Sequence, residues 1–89
     1  MRAVVTIIGE DKVGIIANIA QELAKNNANI LDINQTVLGE YFTMTMLVDL
    51  ENLEISLKTL KEKLNLKGET LGLSIKLQHE DIFRSMHRI

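Results

Sequence analysis

The segment best suited to binding chemistry is a polar loop bounded by glycines, Gly9-Glu10-Asp11-Lys12-Val13-Gly14, which precedes a helical pattern. The first N–H groups of a helix lack intrahelical partners and carry the positive end of the helix dipole, so a ligand carboxylate can bind there. Gly14 would let such a ligand approach the backbone closely. Asp11, Asn29 and Asp32 could supply oxygen atoms to a ligand ammonium group. The loop therefore indicates a site for a zwitterion.

A purely structural interpretation of the same residues stays open. Asp11 could act only as the N-cap of the helix, and Gly14 could serve only tight packing of helix against sheet. Asp32, Asn34 and Gln35 are polar residues in an otherwise apolar strand. They would form a ligand or interface network if they were buried, or face water if the strand lies at a sheet edge.

The remaining reactive side chains do not form a site. His79 and His87 lie eight positions apart, which on a helix leaves them about 80° apart and poorly aligned for one metal ion. No HExxH pattern and no third ligand at suitable spacing accompany them. Ser56, Ser74 and Ser85 have no evident base beside them. The sequence therefore predicts no metal, no cofactor and no enzymatic activity.

Composition excludes further classes of protein. The 89 residues suit one domain, and the net charge of −2 with a pI of about 5.6 argues against binding nucleic acid or an anionic membrane surface. The absence of cysteine excludes disulfides and thiolate metal sites. No apolar run approaches the length of a membrane span, and the N-terminus enters a strand-like run directly, which predicts a cytoplasmic protein.

The pattern of apolar residues predicts the elements that must position these side chains. Residues 2–8 are rich in β-branched residues and nearly all apolar, which indicates a central first strand that ends at Gly9. Apolar residues at helical spacing predict a helix over residues 13–26. Strands follow over residues 29–38 and 41–50, joined by a type II′ turn at Gly39-Glu40.

The second half repeats this alternation. A helix capped by Asn52 carries a leucine stripe and is expected to end at Gly68, and residues 71–77 then alternate as a fourth strand. The tail predicts a short amphipathic helix whose apolar residues are Ile82, Phe83, Met86 and Ile89. Phe42, Met44 and Met46 lie at strand spacing and are expected to be core.

The order β-α-β-β-α-β predicts an α+β, ferredoxin-like sandwich: a four-stranded antiparallel sheet with two helices on one face, plus a short C-terminal helix. The chain is expected to form a single domain over residues 1–89, with the tail helix over residues 78–89. The sheet face opposite the helices is covered by little, which favours a homodimer or higher homo-oligomer.

Two segments carry a family resemblance, the loop at residues 9–16 and the strand opening Asn29-Ile30-Leu31-Asp32-Ile33. Together they resemble the ACT domain, a family of small regulatory domains that bind ligands. Residues 35–44 and the ending at residues 78–89 are similar to stand-alone, single-ACT-domain bacterial and archaeal proteins of uncharacterised function. The resemblance covers essentially the whole chain.

The resemblance implies a homodimer with an amino acid at the subunit interface, held by the first loop of one subunit and the start of the second strand of the other. The positions it implies for ligand binding are Asp11, Val13, Gly14, Ile15, Asn29, Ile30 and Asp32. Val13 stands where the family often has proline, so the loop is less rigid than usual.

Two functions follow as hypotheses. The first is a non-catalytic regulatory module that binds a small ligand, an amino acid, between two subunits. The second is a protein-interaction or adaptor subunit without a small-molecule ligand, which would use the uncovered sheet face and the apolar stripe of the tail.

Overall fold

Alternating apolar residues build the sheet, and two amphipathic helices cover one of its faces. The computed structural model describes residues 1–10 and 14–86. Its elements, in chain order, are β1 (Arg2–Glu10), α1 (Ile15–Lys25), β2 (Asn29–Leu38), β3 (Tyr41–Asp49), α2 (Leu57–Leu71), β4 (Ser74–His79) and α3 (Glu80–Met86).

The four strands form one antiparallel sheet in the order β2-β3-β1-β4. The apolar β1 is therefore an inner strand, as its composition predicts, while β2 and β4 are the two edges. This arrangement confirms the predicted ferredoxin-like fold. It also fixes the ends of the sheet, because Glu10 pairs with Tyr41 at one end and Arg2 pairs with Asp49 at the other.

The core lies between the helix-covered face of the sheet and the helices. Phe42, Met44 and Met46 of β3 are at most 2% exposed, which confirms their assignment to the core. They pack in one cluster with alternate residues of β1, and with Ile15, Ile19, Leu23, Leu60 and Leu64 of the helices. Burial of these apolar side chains is the main force that holds α1 and α2 on the sheet.

The β2–β3 hairpin turns at Gly39-Glu40 as predicted. Gly39 has a φ of 61°, and Glu40 is not among the residues with positive φ. A positive φ at the first turn residue alone is the property of a type II′ turn, and it favours glycine there.

One irregularity interrupts β2. Ile30 pairs with Val48 and Asp32 pairs with Leu47, so Leu31 is an extra residue in the ladder. This β-bulge lets Ile30 and Ile33 face the helix side although they are three positions apart.

Several predicted element ends were wrong. β1 continues through Gly9 to Glu10, and α1 spans residues 15–25 rather than 13–26. A Cβ at Gly9 would come within 2.5 Å of the Leu73 side chain, so this glycine permits a close approach rather than ending the strand.

The predicted ends of α2 were also wrong. Ser56, not Asn52, is the N-cap, since its hydroxyl accepts a hydrogen bond from the Thr59 N–H at 3.1 Å. At the other end Gly72 caps the helix and Gly68 is buried inside it. Consequently β4 begins at Ser74 rather than at residue 71, although the predicted alternation holds for Leu73, Ile75 and Leu77, which are buried.

The predicted C-terminal helix is present as α3 and covers part of the outer face, meaning the sheet face opposite α1 and α2. It contacts β1 and β4, and Val4, which points to the outer face, is only 6% exposed. Arg2 fixes α3 to β1, because its Nε and Nη2 donate to Glu80 Oε1 at 3.2 and 3.1 Å. Ile82 of the predicted stripe is 55% exposed, while Ile89 and His87 lie outside the described residues.

The part of the chain that the structure describes contains no helix both long and apolar enough to span a bilayer.

Candidate functional site

The N-terminal end of α1 presents backbone amides without a side-chain cap. Gly14 occupies the N-cap position in the left-handed region, with φ 85° and ψ 4°, and no side chain caps the helix there. Its carbonyl oxygen accepts hydrogen bonds from the Asn18 backbone N–H and from Asn18 Nδ2, both at 2.9 Å. The N–H groups of the first turn therefore have no partner within the helix and carry its positive dipole end.

Two purely structural roles were predicted for this loop, an N-cap at Asp11 and close helix–sheet packing at Gly14. The N-cap is Gly14, so the prediction of Asp11 as N-cap was wrong; Asp11 and Val13 themselves lie outside the described residues. Gly14 is exposed, and a Cβ added there would meet only Asn18 Nδ2, at 3.6 Å. Tight helix–sheet packing therefore does not explain this glycine, whereas its positive φ does.

At this end of the helix, the side chain and the backbone N–H of Ile15 have different roles. Its side chain is 3% exposed and belongs to the core. A ligand could therefore meet its backbone N–H but not its side chain. The buried Ile15 anchors the first turn and so fixes the direction in which its backbone amides point.

The second group of predicted site residues lies at the start of β2. Asn29 is exposed and lines an open depression of about 410 Å³ together with Asn27 and Asn52. Ile30 is half-buried against the core. Asp32 is exposed, and its Oδ1 accepts a hydrogen bond from the Ile33 N–H at 2.9 Å.

One protomer does not bring the two groups together. Gly14 follows the end of β1 where Glu10 pairs with Tyr41, whereas Asn29 pairs with Asp49 at the opposite end of the sheet. Eight residues of strand separate these ends, or roughly 26 Å. Any site that uses both groups must combine them from two copies of the chain.

The polar residues farther along β2 are exposed on an edge strand. Asp32, Asn34 and Gln35 all face solvent in the protomer. This placement agrees with the edge-strand interpretation, and a buried polar network does not form within one copy.

Features suited to catalysis are engaged in local structure. Ser56 caps α2, and Ser85 Oγ donates to the Asp81 carbonyl oxygen at 3.1 Å. His79 Nδ1 accepts a hydrogen bond from the Asp81 N–H at 3.1 Å. Within residues 1–10 and 14–86, no group of three or more His, Asp or Glu side chains could hold a metal ion.

Two further polar surfaces were not predicted from the sequence. Asn27 and Asn52 join Asn29 in the same depression; the clustering of asparagines at positions 26, 27 and 29 is the sequence signal for this polar surface. A second open depression, of about 510 Å³, lies between α1 and α2, where Lys67 Nζ is 3.9 Å from Glu22 Oε1. No spacing rule within α1 alone could have predicted it.

Comparison with known proteins gives a consistent result. A family model described as an ACT domain matches residues 2–78. A UPF0237 protein of Methanocaldococcus jannaschii is 53% identical over 88 residues, covering 99% of this chain and 98% of that protein.

Among solved structures, an ACT domain protein from Streptococcus pneumoniae has a TM-score of 0.81 at 38% identity and covers 93% of each chain. The ligand-free regulatory subunit of aspartate kinase from Thermus thermophilus has a TM-score of 0.66 at 25% identity, covering 86% of this chain and 50% of that one.

Proposed function

The chain belongs to the ACT domain family, a class of regulatory, ligand-binding domains, and from this premise we propose that it is a non-catalytic regulatory module. In this proposal the chain acts as a single domain and forms a homodimer, and the dimer binds an amino acid at its interface. The observation that carries the proposal is the position of the two half-sites at opposite ends of a free strand edge.

The edge strand β2 offers a direct way to unite the half-sites. Two copies of β2 that pair antiparallel about a two-fold axis would place the hairpin end of one copy beside the Asn29 end of the other. The amides at Gly14 of one protomer would then lie toward the Asn29 end of its partner's β2, and Asp32, which lies opposite Leu47 on the outer side of that strand, would reach the site from its rim. The same operation generates a second, identical site.

Exposed apolar side chains on the flank beside β2 support this interface. Ile33 and Val37 face the helix side of β2 but are 42% and 56% exposed, so the helices leave them largely uncovered. Ile16 of α1 is 41% exposed and lies about 120° round the helix from Glu22, the residue that pairs with α2. The apolar flank formed by Ile16, Ile33 and Val37 is the surface that a second copy would cover.

The chemistry of the half-sites favours a zwitterion. Helix amides without a side-chain cap at the positive end of α1 suit a carboxylate, and the oxygen atoms of Asn29 and Asp32 suit an ammonium group. The aspartate kinase structure mentioned above is itself a regulatory subunit, which supports a regulatory rather than catalytic role for this chain.

The test combines a thermal-shift panel with measurement of the oligomeric state. An amino acid present at a concentration of about one hundred times its Kd for the folded dimer adds about 2.7 kcal/mol to the free energy of unfolding. For a domain of this size, that raises Tm by roughly 10–20 °C. We expect Ile33→Asp to give a monomer by light scattering and to remove this shift. Leu66→Asp is the matched control, because Leu66 is 63% exposed on α2, away from β2.

Three results would contradict the proposal. A monomeric unmodified protein would disprove the interface. A dimer that no amino acid stabilises at millimolar concentration would disprove the ligand class. Loss of the dimer in Leu66→Asp as well as Ile33→Asp would place the interface elsewhere.

The adaptor function is the second candidate, and an apolar patch on the outer face favours it. Leu38, Tyr41 and Ile8 are 80%, 53% and 51% exposed at the hairpin end of that face, which α3 leaves uncovered. A stoichiometric protein partner that binds this patch, with no effect of any amino acid, would support the adaptor over the ligand sensor.

A further inference from the structure

The second edge of the sheet differs in charge from the first. Residues 26–57, which include β2 and β3, contain five acidic residues and no lysine or arginine. Residues 58–79, which form most of α2 and all of β4, contain five lysines and two glutamates, and Lys61 and Lys76 are exposed beside the groove between them. The two edges of the sheet therefore differ in charge, and each edge would attract partners of the opposite charge.

A depression runs between α2 and β4 along this basic edge. It has a volume of about 180 Å³, and Leu64, Ile75 and Leu77 form its apolar floor. Lys61 and Lys76 line it from α2 and β4 respectively. Because β4 pairs only with β1 in the described part of the sheet, the backbone of Ile75, Lys76 and Leu77 along this groove is available to an additional strand.

We propose that this groove binds an extended, acidic segment of a partner protein as a fifth strand on β4. Main-chain hydrogen bonds to the edge would supply affinity, and alternate side chains would supply specificity. Side chains on the helix side of the added strand would enter the apolar depression, so that aliphatic residues fit there. Acidic residues at the intervening positions would lie on the outer face with Lys76, while Lys61 attracts the segment from the rim of α2.

A second copy of this chain is a poorer occupant of the same groove. Two β4 edges brought together would place the lysines of both copies side by side, and like charges at short range oppose association. The groove also lies on the opposite edge of the sheet from the proposed dimer interface. The partner segment and the amino acid would therefore bind independently.

The probe is a seven-residue peptide that alternates glutamate and valine, acetylated and amidated at its ends, added to the isotope-labelled full chain. We expect saturable chemical-shift changes at residues 74–79 and along the facing side of α2. Lys61→Glu and Lys76→Glu should each weaken binding by about threefold, and together by about tenfold, whereas the control Lys25→Glu on α1, which makes the same charge change as either one, should change it by less than about twofold.

Two altered peptides separate strand addition from simple charge attraction. Replacement of glutamate by lysine should abolish binding, and N-methylation of alternate amides facing the edge should do the same. All three substituted lysines are exposed, so the variants are expected to fold, with circular dichroism as the check.

Specific results would overturn the inference. Shift changes at Asn29–Leu38 instead of β4 would assign the peptide to the other edge. Equal weakening by Lys25→Glu, or full binding of the N-methylated peptide, would show that the peptide binds only by nonspecific charge attraction. Competition by a short single-stranded DNA at β4 would identify a nucleic acid as the occupant, and concentration-dependent shifts at β4 without peptide would identify a second copy.

Discussion

Gly68→Ala is expected to destabilise the protein, although alanine is a better helix former than glycine. Gly68 lies in the last turns of α2, where it is buried. A Cβ at this position would stand 2.8 Å from the Leu73 carbonyl oxygen, and 3.2 Å from Ile75 Cγ1. The side chain of Ile75 can adjust, but the Leu73 carbonyl belongs to the backbone that connects α2 with β4.

The expected magnitude is the balance of two opposing terms. Alanine gains at most about 1 kcal/mol in helix propensity. Overpacking against fixed backbone costs about 1–3 kcal/mol, and the Gly68 carbonyl already accepts the Leu73 N–H at 2.8 Å, so the two segments cannot separate without loss of that bond. The net loss of unfolding free energy is therefore about 1 kcal/mol, or a fall in Tm of about 4–8 °C.

Urea denaturation at fixed protein concentration measures this difference, because any dimer makes stability depend on concentration. Asn65→Ala is the matched control, since Asn65 is exposed on the same helix; its unfolding free energy should stay within about 0.5 kcal/mol of the original. A Gly68→Ala protein that is more stable than the original would show that helix propensity outweighs the close approach, and would refute the reasoning.

Three further substitutions test the supports of the fold. Ser56→Ala removes the cap of α2 and should cost about 1 kcal/mol by urea denaturation; an unchanged midpoint would show that the bond to Thr59 adds nothing. Leu60→Ala leaves a cavity at a fully buried position and should cost about 2–5 kcal/mol by the same assay, against less than 1 for the exposed Leu66→Ala. Arg2→Ala should change global stability by less than about 1 kcal/mol but speed hydrogen exchange in α3; equal exchange would mean that the pair with Glu80 does not hold that helix.

The sheet was predictable because its signal is local and repeated. Alternation in β3 assigns a face to each of Phe42, Met44 and Met46, and the hairpin at Gly39 fixes how β2 and β3 align. The continuous apolar run of β1 correctly identified an inner strand. These patterns depend on nearest neighbours in sequence, so no knowledge of distant contacts was needed.

The ends of α2 were not predictable in the same way, because the chain offers competing signals. Asn52 and Ser56 are both good capping residues, and Leu53 continues the leucine stripe although it lies before the helix. Leu53 is instead half-buried in a turn, where its backbone N–H donates a hydrogen bond to the Leu50 carbonyl oxygen. Tertiary packing of residues 50–55 against the core decides between the two caps, and sequence spacing does not encode it.

The candidate site was predictable only as separate parts. The sequence identifies Gly14 and Asn29 as the ends of suitable elements, but the distance between them depends on the sheet order. The ligand geometry depends further on a symmetry axis that lies outside the chain. One protomer therefore defines the two half-sites and the edge strand β2, and the symmetry of the assembly determines how they combine.

The extra residue at Leu31 limits how another strand can align with β2. A neighbour on the outer edge of β2 meets regularly spaced backbone only from Asp32 to Leu38, since the bulge interrupts the repeat below it. In the proposed dimer, two such seven-residue stretches in antiparallel array would be centred on Gln35, so Asp32 of one copy would lie opposite Leu38 of the other. Asn29 would then project past the end of the shared ladder, with its amide outside the strand pairing between the copies. The single inserted residue would thus determine where strand pairing between the two copies ends, and with it the width of the opening into which a ligand must fit.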